Sequence, residues 1–351
     1  MSIQTAYTSF SSFSQQSQLR EDNTLGAICF IDNSVDGNTT ASTEIPTIQL
    51  HAPILDGLGA GCEIWLSNTR LWADKTLAHG SQRDISYRFN DEFLFGVITL
   101  SESALEDITD TSALQRITES AYRQVFALMD EMKYPHIYRF WNYMADINKV
   151  SHGLERYRQF NIGRKDAFLA CSNASNIQLP AACALGLTGG PLSIAFLLGR
   201  QAPIAIENPR QVSAYEYPEE YGPQTPSFSR ATLLHSEHAT LLFISGTASI
   251  VGHQTLHTTD VVAQTKETLI NLEAVIAEAN RTIGEVKFDL RKGFLRVYIR
   301  RTADLSLIRN EIHRHLGDTI TAVFIQADIC RQELLLEIEA TAECVSESLS
   351  T

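Results

Sequence analysis

Two stretches of this sequence concentrate side chains able to do chemistry. In the first, Arg139-Phe-Trp-Asn-Tyr143 is followed by Glu155-Arg-Tyr-Arg158 and Asn161-Ile-Gly-Arg-Lys165, so cations alternate with Trp141, Tyr143 and Tyr157. The chain has 351 residues, with 28 Lys plus Arg against 41 Asp plus Glu, so such a cluster makes a local positive pocket in an acidic protein. Arginine suits a carboxylate ligand because its planar fork donates two parallel hydrogen bonds. Arg139 is the foremost candidate, since it lies between Tyr138 and Phe140 in a strand-like segment where a charge needs a reason to be; Arg158 and Lys165 read as an exposed helix face. The second stretch is Cys330-Arg-Gln-Glu-Leu-Leu-Leu-Glu-Ile-Glu339. Strand parity sets Leu334, Leu336 and Ile338 against Glu333, Leu335, Glu337 and Glu339, which points Glu337 away from an apolar row. Arg230 opens a strand beside a domain junction, a common place for a ligand contact. Taken singly, each has an ordinary alternative: a surface arginine, a solvated strand glutamate, or, for Cys330, a buried packing thiol.

Other chemistries find little support. His235 with His238, His253 with His257 and His313 with His315 lack the cysteine or carboxylate complement of a metal site. There is no phosphate-binding glycine loop, dinucleotide fingerprint or nucleophile elbow, so neither metal nor cofactor is expected. A formal charge of −13 repels nucleic acid and anionic membranes, and no apolar run approaches the ~20 residues that span a bilayer. Six cysteines without paired spacing predict reduced thiols and a cytoplasmic protein. The opening MSIQTAYTSFSSFSQQSQ has no basic residue ahead of an apolar core and reads as a loose polar leader.

The elements that carry these residues divide at the prolines. Four of the ten fall between Pro209 and Pro226, which predicts a linker over 209–228 between domains at 1–208 and 229–351. In the second half, Val262, Thr265, Leu269, Leu272 and Ile276 share a helical stripe behind Asp260 as N-cap, predicting a helix over 260–280. A second helix is predicted in DLSLIRNEIHRHLG, stopped by Gly317, with strands in ATLLFISG, FLRVYIRR, ITAVFIQ and ELLLEIEA. In the first half, Leu114, Ile117, Ala121, Val125, Leu128 and Met132 predict a helix over 112–133, among strands EFLFGVITLS, HIYRFWNY, AACALGL and PLSIAFLLG. Each half therefore offers a mixed sheet with helices packed on one face, an α+β architecture.

From Phe243, the run ISGTASIVGHQTLHTTDVVAQTKETLINLEAVI with the distant LLLEIEA resembles the YjgF/RidA-like domain, which shares a G…D…Q-T…N-L pattern and ends in an L-V-E-I-E strand. Two blocks are similar to the chorismatases, which cleave the enolpyruvyl ether of chorismate. They are R-F-W-N-Y…I-N…G-L-E-R-Y…F-N-x-G-R, from Arg139 to Arg164, and C-R-x-E-L-L-x-E-I-E, from Cys330 to Glu339; the resemblance spans most of residues 90 to 342. Ala145 departs from it, standing at a turn where proline is expected. Imine deamination is disfavoured, because those YjgF relatives use an arginine fifteen residues before the strand glutamate, where this chain has Ala322.

The resemblance implies two YjgF-like (chorismate-mutase-like) α/β layers and a substrate with two carboxylates. It implies Arg139, Arg156 and Arg230 as anchors, Tyr143 and Tyr215 as groups orienting the ring, and Glu337 as the acid that protonates the enol methylene. Benzoate-forming members carry a cysteine at the place of Cys330 and a glycine on the facing strand, best matched by Gly246. The expected products are then pyruvate and 3-hydroxybenzoate, with some 4-hydroxybenzoate. The alternatives are a hydrolase that releases a dihydroxycyclohexadiene carboxylate and a non-catalytic binder of small metabolites. Whether the chain is a monomer or a trimer stays open at this point.

Overall fold

Three larger sheets share one apolar core in the computed structural model, which describes residues 2–14, 23–31, 44–57, 59, 61–68, 77–104, 111–171, 178–235 and 239–345. The first sheet holds β1 (Ser2–Thr8), β2 (Thr24–Ile31), β3 (Thr47–His51) and β5 (Cys62–Asn68) in the order β1-β5-β2-β3. The second holds β6 (Ala78–Gln82), β7 (Ile85–Phe89), β8 (Phe93–Leu100), β9 (His136–Ala145), β12 (Ala181–Leu187) and β13 (Leu192–Gly199), in the order β12-β9-β13-β8-β7-β6. The third runs β14-β15-β16-β21-β19-β20-β4, from β4 (Ile54–Asp56), β14 (Ile204–Ile206), β15 (Ala231–His235), β16 (Ala239–Thr247), β19 (Phe294–Ile299), β20 (Thr321–Gln326) and β21 (Leu336–Val345). Both of its edge strands, β4 and β14, come from residues 1–208, ahead of the proline-rich segment. Two short hairpins complete the set, β10 (Val150–Ser151) with β11 (Leu154–Glu155) and β17 (Ile250–Val251) with β18 (Gln254–Thr255).

Helices cover the outer faces of the second and third sheets, giving the expected α+β layers. Helix α1 (Ala113–Met132) starts where the Ser112 side chain accepts from the Gln115 amide, and packs Leu114, Ile117, Ala121 and Val125 with α2 (Arg156–Ala170) over Phe140 and Phe196. Helix α3 (Val261–Ile283) is capped by Asp260 and closed by Gly284 at φ 75°, so it runs one turn beyond the expected end. With α4 (Leu305–Leu316) it buries Leu269, Leu272 and Ile276 against Val297 and Ile338. The inner faces of all three sheets meet at Trp65, Trp141, Phe243 and Tyr298. No described helix is long and apolar enough to cross a membrane.

Three expectations are corrected here. Residues 2–8 of the supposed loose leader form β1, paired antiparallel with β5. Extending a sheet edge satisfies backbone groups with few apolar side chains, which is why a polar sequence hid the strand. Residues 15–18 of that leader lie outside the described residues. Cys29 and Cys62 form a disulfide instead of standing as reduced thiols, because the antiparallel register of β2 and β5 sets them opposite one another with Cα atoms 4.1 Å apart. Their 33-residue separation gave no local signal. Finally, β21 begins only at Leu336, so the alternation starts later than expected: Leu334 joins the central core, while Leu335 joins Leu336 and Ile338 on the helix side.

Candidate active site

Glu337 owes its place to β21, a strand buried on both faces. Leu336 and Ile338 face the helices, so Glu337 and Glu339 must face the space between sheets, where they are 3% and 4% exposed. Neighbouring β16 pairs antiparallel with β21, but its register slips between Ile244 and Thr247, forming a bulge that contains Ser245 and Gly246. Gly246 lies directly against Glu337: a Cβ there would overlap Glu337 Oε1.

Beside this pair is a cavity of about 620 Å³. Its wall brings together Glu337, Gly246, Cys330 and Arg230 from the sequence-derived candidates. Segment 209–228, which forms two single-turn helices, contributes Tyr217 and Tyr221, and Tyr157 and Arg158 enter from α2. Arg230 is 5% exposed; its Nη2 donates to the Val212 carbonyl and to Tyr217 Oη, each at 2.8 Å, while Nε has no partner. Arg331 stacks its guanidinium 3.9 Å from the Tyr221 ring centre and donates from Nη1 to the His253 carbonyl at 2.8 Å, leaving Nη2 unpartnered. Arg331 and Tyr217 were missed in the sequence, although Arg331 sits in the Cys330 to Glu339 run and Tyr217 in the proline-rich segment. Arg158, set aside as an exposed helix face, also lines the cavity, paired with Glu155 at 3.5 Å.

Two expected anchors and the two expected orienting tyrosines are elsewhere. Arg139 lies behind the cavity wall, 2% exposed, ion-paired with Glu339 and donating from Nη1 to the Ile244 carbonyl at 2.5 Å. Its charge in a strand does have a reason, but that reason is a buried carboxylate of the chain. Tyr143 is fully buried and bonds Tyr298 Oη at 2.9 Å. Arg156 is committed to Glu102 through both terminal nitrogens, at 2.9 and 2.5 Å, and to the Ala145 carbonyl. Tyr215 is 39% exposed; it falls within the turn Ala214–Glu216, and the chain presents Tyr217 to the cavity instead. Of the histidines, His253 bonds Tyr221, His313 bonds Asp318 and His315 bonds Glu273, while His238 lies outside the described residues.

Glu337 and Glu339 of β21 have opposite protonation. Burial, and next the Glu339 charge, push the Glu337 carboxyl up to about 8, against a smaller opposing pull from Arg139. Glu337 Oε1 has no hydrogen-bond partner. Burial also acts to raise Glu339, but Arg139 and Arg296 outweigh it and hold that carboxyl below its usual range. Burial pushes the Cys330 thiol up to about 12, so it stays protonated near neutral pH. The site therefore offers one neutral carboxylic acid, one thiol and two guanidiniums with unpartnered N–H groups. That set can hold an anion and deliver a proton to it.

Residues 63–198 match the family described as Chorismatase FkbO/Hyg5-like, N-terminal. A 3-hydroxybenzoate synthase of Streptomyces hygroscopicus is 35% identical over 288 residues, covering 79% of this chain and 80% of that protein. A chorismatase of Streptomyces rapamycinicus is 32% identical over 328 residues, covering 88% and 94%. A crystal structure of a chorismatase superposes with a TM-score of 0.81 at 31% identity, covering 98% of each chain. Identity above 30% along most of the length and a fold shared over nearly all of it place this protein: the chain belongs to the chorismatase family.

Proposed function

We propose that this protein is a chorismatase that converts chorismate to pyruvate and 3-hydroxybenzoate, with Glu337 as the proton donor. The observation that carries the assignment is a buried, unpartnered carboxyl that is still protonated near neutral pH, beside a cavity bearing two arginines with free N–H groups. Protonating the methylene carbon of an enol ether demands such an acid, since a solvated carboxylate has already lost its proton. Proton transfer from Glu337 leaves an oxocarbenium ion on the former enol carbon. The neighbouring ring hydroxyl captures that cation and loses its proton, closing a cyclic ketal. The ring carbon–oxygen bond of that former hydroxyl and the bond from the enol carbon to the original ether oxygen then break, so pyruvate leaves with the hydroxyl oxygen and the ether oxygen stays on the ring as the phenol. The ring aromatises by losing a proton, one of the two released protons going to the phenol oxygen and the other restoring Glu337. The two products together contain the atoms of the substrate, and no water is consumed.

Cys330 supports the aromatic outcome over the diol. Its neutral thiol occupies cavity wall that a smaller side chain would leave to water, the nucleophile that diverts the cation. Cys330→Ala is expected to move the yield from 3-hydroxybenzoate toward the dihydroxycyclohexadiene carboxylate, read by chromatography; an unchanged ratio removes the thiol from product choice. Arg230 and Arg331 are the pair best placed for the two substrate carboxylates. A hydrogen bond to a charged group is worth about 1.5–3 kcal/mol, so Arg230→Ala and Arg331→Ala should each raise KM roughly 10- to 100-fold. A wild-type KM for either variant excludes that residue as an anchor. The whole assignment is tested by incubating pure protein with chorismate and assaying pyruvate, and no release above the uncatalysed rate overturns it.

A further inference from the structure

Behind the cavity wall, a chain of buried charges joins the three sheets. Glu63 of β5 is ion-paired with Arg296 of β19; Arg296 donates to Glu339 of β21 at 2.7 Å; Glu339 is ion-paired with Arg139 of β9. All four side chains are buried, and Tyr298 donates to Glu339 at 3.0 Å. Placing two arginines and two glutamates out of water is costly, and a core of this size is more cheaply filled with apolar residues. The end of the chain touches the proposed acid twice. Glu339 and Glu337 stand two residues apart on one face of β21, and the Arg139 guanidinium that holds Glu339 also donates to Ile244, where the bulge carrying Gly246 begins.

We propose that Arg139 and Glu339 are positioning residues for Glu337: Arg139 locks the β16 bulge that brings Gly246 against Glu337, and the Glu339 carboxylate it holds faces Glu337 from the same strand. The inference rests on Glu337 as the acid of the proposed reaction. Two consequences follow from the geometry. The bulge fixes where the acid stands, and the Glu339 charge disfavours a second anion beside it, keeping the proton on Glu337 until substrate arrives. The other titratable groups around Glu337 do not compete near neutral pH. Cys183 from β12, Cys330 from the segment before β21, Tyr157 from α2 and Tyr298 opposite Glu337 in β19 are all raised above their usual values by burial first.

The test is the pH dependence of kcat/KM for chorismate, read as pyruvate release. In the unsubstituted protein, activity is expected to fall as pH rises through about 8, as Glu337 loses its proton. Glu339→Gln removes the repelling anion and should move this alkaline limb down by about one pH unit; Arg139→Gln removes the attracting cation and should move it up by about one unit. Residues with a merely structural role would lower activity without separating the limbs, so limbs that stay put or shift in the same direction overturn the proposal. If either variant fails to fold, Arg139→Lys and Glu339→Asp replace them. These keep the charge but lose the geometry, so kcat should drop about tenfold with the limb in place. A limb that moves with the charge retained overturns the proposal. Glu337→Gln in the same assay separates the two levels: full turnover there overturns the acid assignment and this inference together, whereas an inactive Glu337→Gln with unseparated limbs overturns only the positioning roles.

Discussion

Glu337→Gln is expected to lower turnover by roughly 10²- to 10⁴-fold, the contribution of a positioned general acid, with chorismate affinity within about tenfold of wild type. The amide matches the carboxyl in size and fits the same space against Gly246, so the cavity and its arginines stay in place while the transferable proton is gone. Single-turnover measurement of pyruvate release with saturating substrate, alongside equilibrium binding, separates the two quantities. Activity within a factor of two of wild type would reject Glu337 as donor. The same variant has a signature in stability. The folded carboxyl holds its proton to about 8 against an ordinary value of 4.5, so between those pH values the folded state binds more protons than the unfolded chain. Stability from this group is fully present below 4.5 and declines as pH rises to about 8, with a limiting slope of about 1.4 kcal/mol per pH unit. Glu337→Gln should flatten that decline, and denaturant midpoints at pH 5 and pH 8 would reveal it. Loss of turnover with a flattened profile identifies a buried protonated acid, whereas loss of turnover alone would also fit a residue that only packs.

What the sequence revealed was what is encoded locally. Helices Ala113–Met132 and Val261–Ile283 were readable because an apolar stripe recurs over several turns, with Asp260 as a capping signal for the second. Glu337 was readable because parity next to Leu336 and Ile338 forces it to the opposite face. Arg139 was singled out correctly as a charge in an apolar strand and assigned the wrong partner. Its counter-ion, Glu339, is 200 positions away, and only the packing of one sheet on another brings them together. Sequence position carries no trace of such pairings, and the Cys29–Cys62 bond was hidden for the same reason. Arg156 was similarly claimed for the substrate while Glu102 already held it. Tyr215 and Tyr217 differ only in their phase around a turn, which alternation cannot settle in a proline-rich segment. Arg331 could have been found: a cation next to Cys330 within the most specific block had as strong a claim as Arg230.

Gly246→Ala is the second large effect expected, and it acts through contact alone. Gly246 does not have a positive φ, so alanine meets no backbone strain there. Its Cβ, however, would overlap Glu337 Oε1 and come within 3.3 Å of Cys183 Cβ. Cys183, on β12 of the second sheet, is packed into the shared core, so Glu337 must swing away and carry its acidic oxygen with it. A displacement of about 1 Å at a reacting group can cost about 10²-fold in rate, and kcat should fall by that order, while KM should change little if the proposed anchors Arg230 and Arg331 hold the substrate. Gly189→Ala is the matched control, since a Cβ at that exposed turn meets nothing within 4 Å. A kcat for Gly246→Ala within twofold of the Gly189→Ala value would mean that the carboxyl tolerates a shifted position and that the close approach of β16 to β21 is not needed for proton transfer. A selective fall in kcat would instead tie the missing side chain at position 246 to the placement of the proton, the one feature of the site that neither arginine can supply.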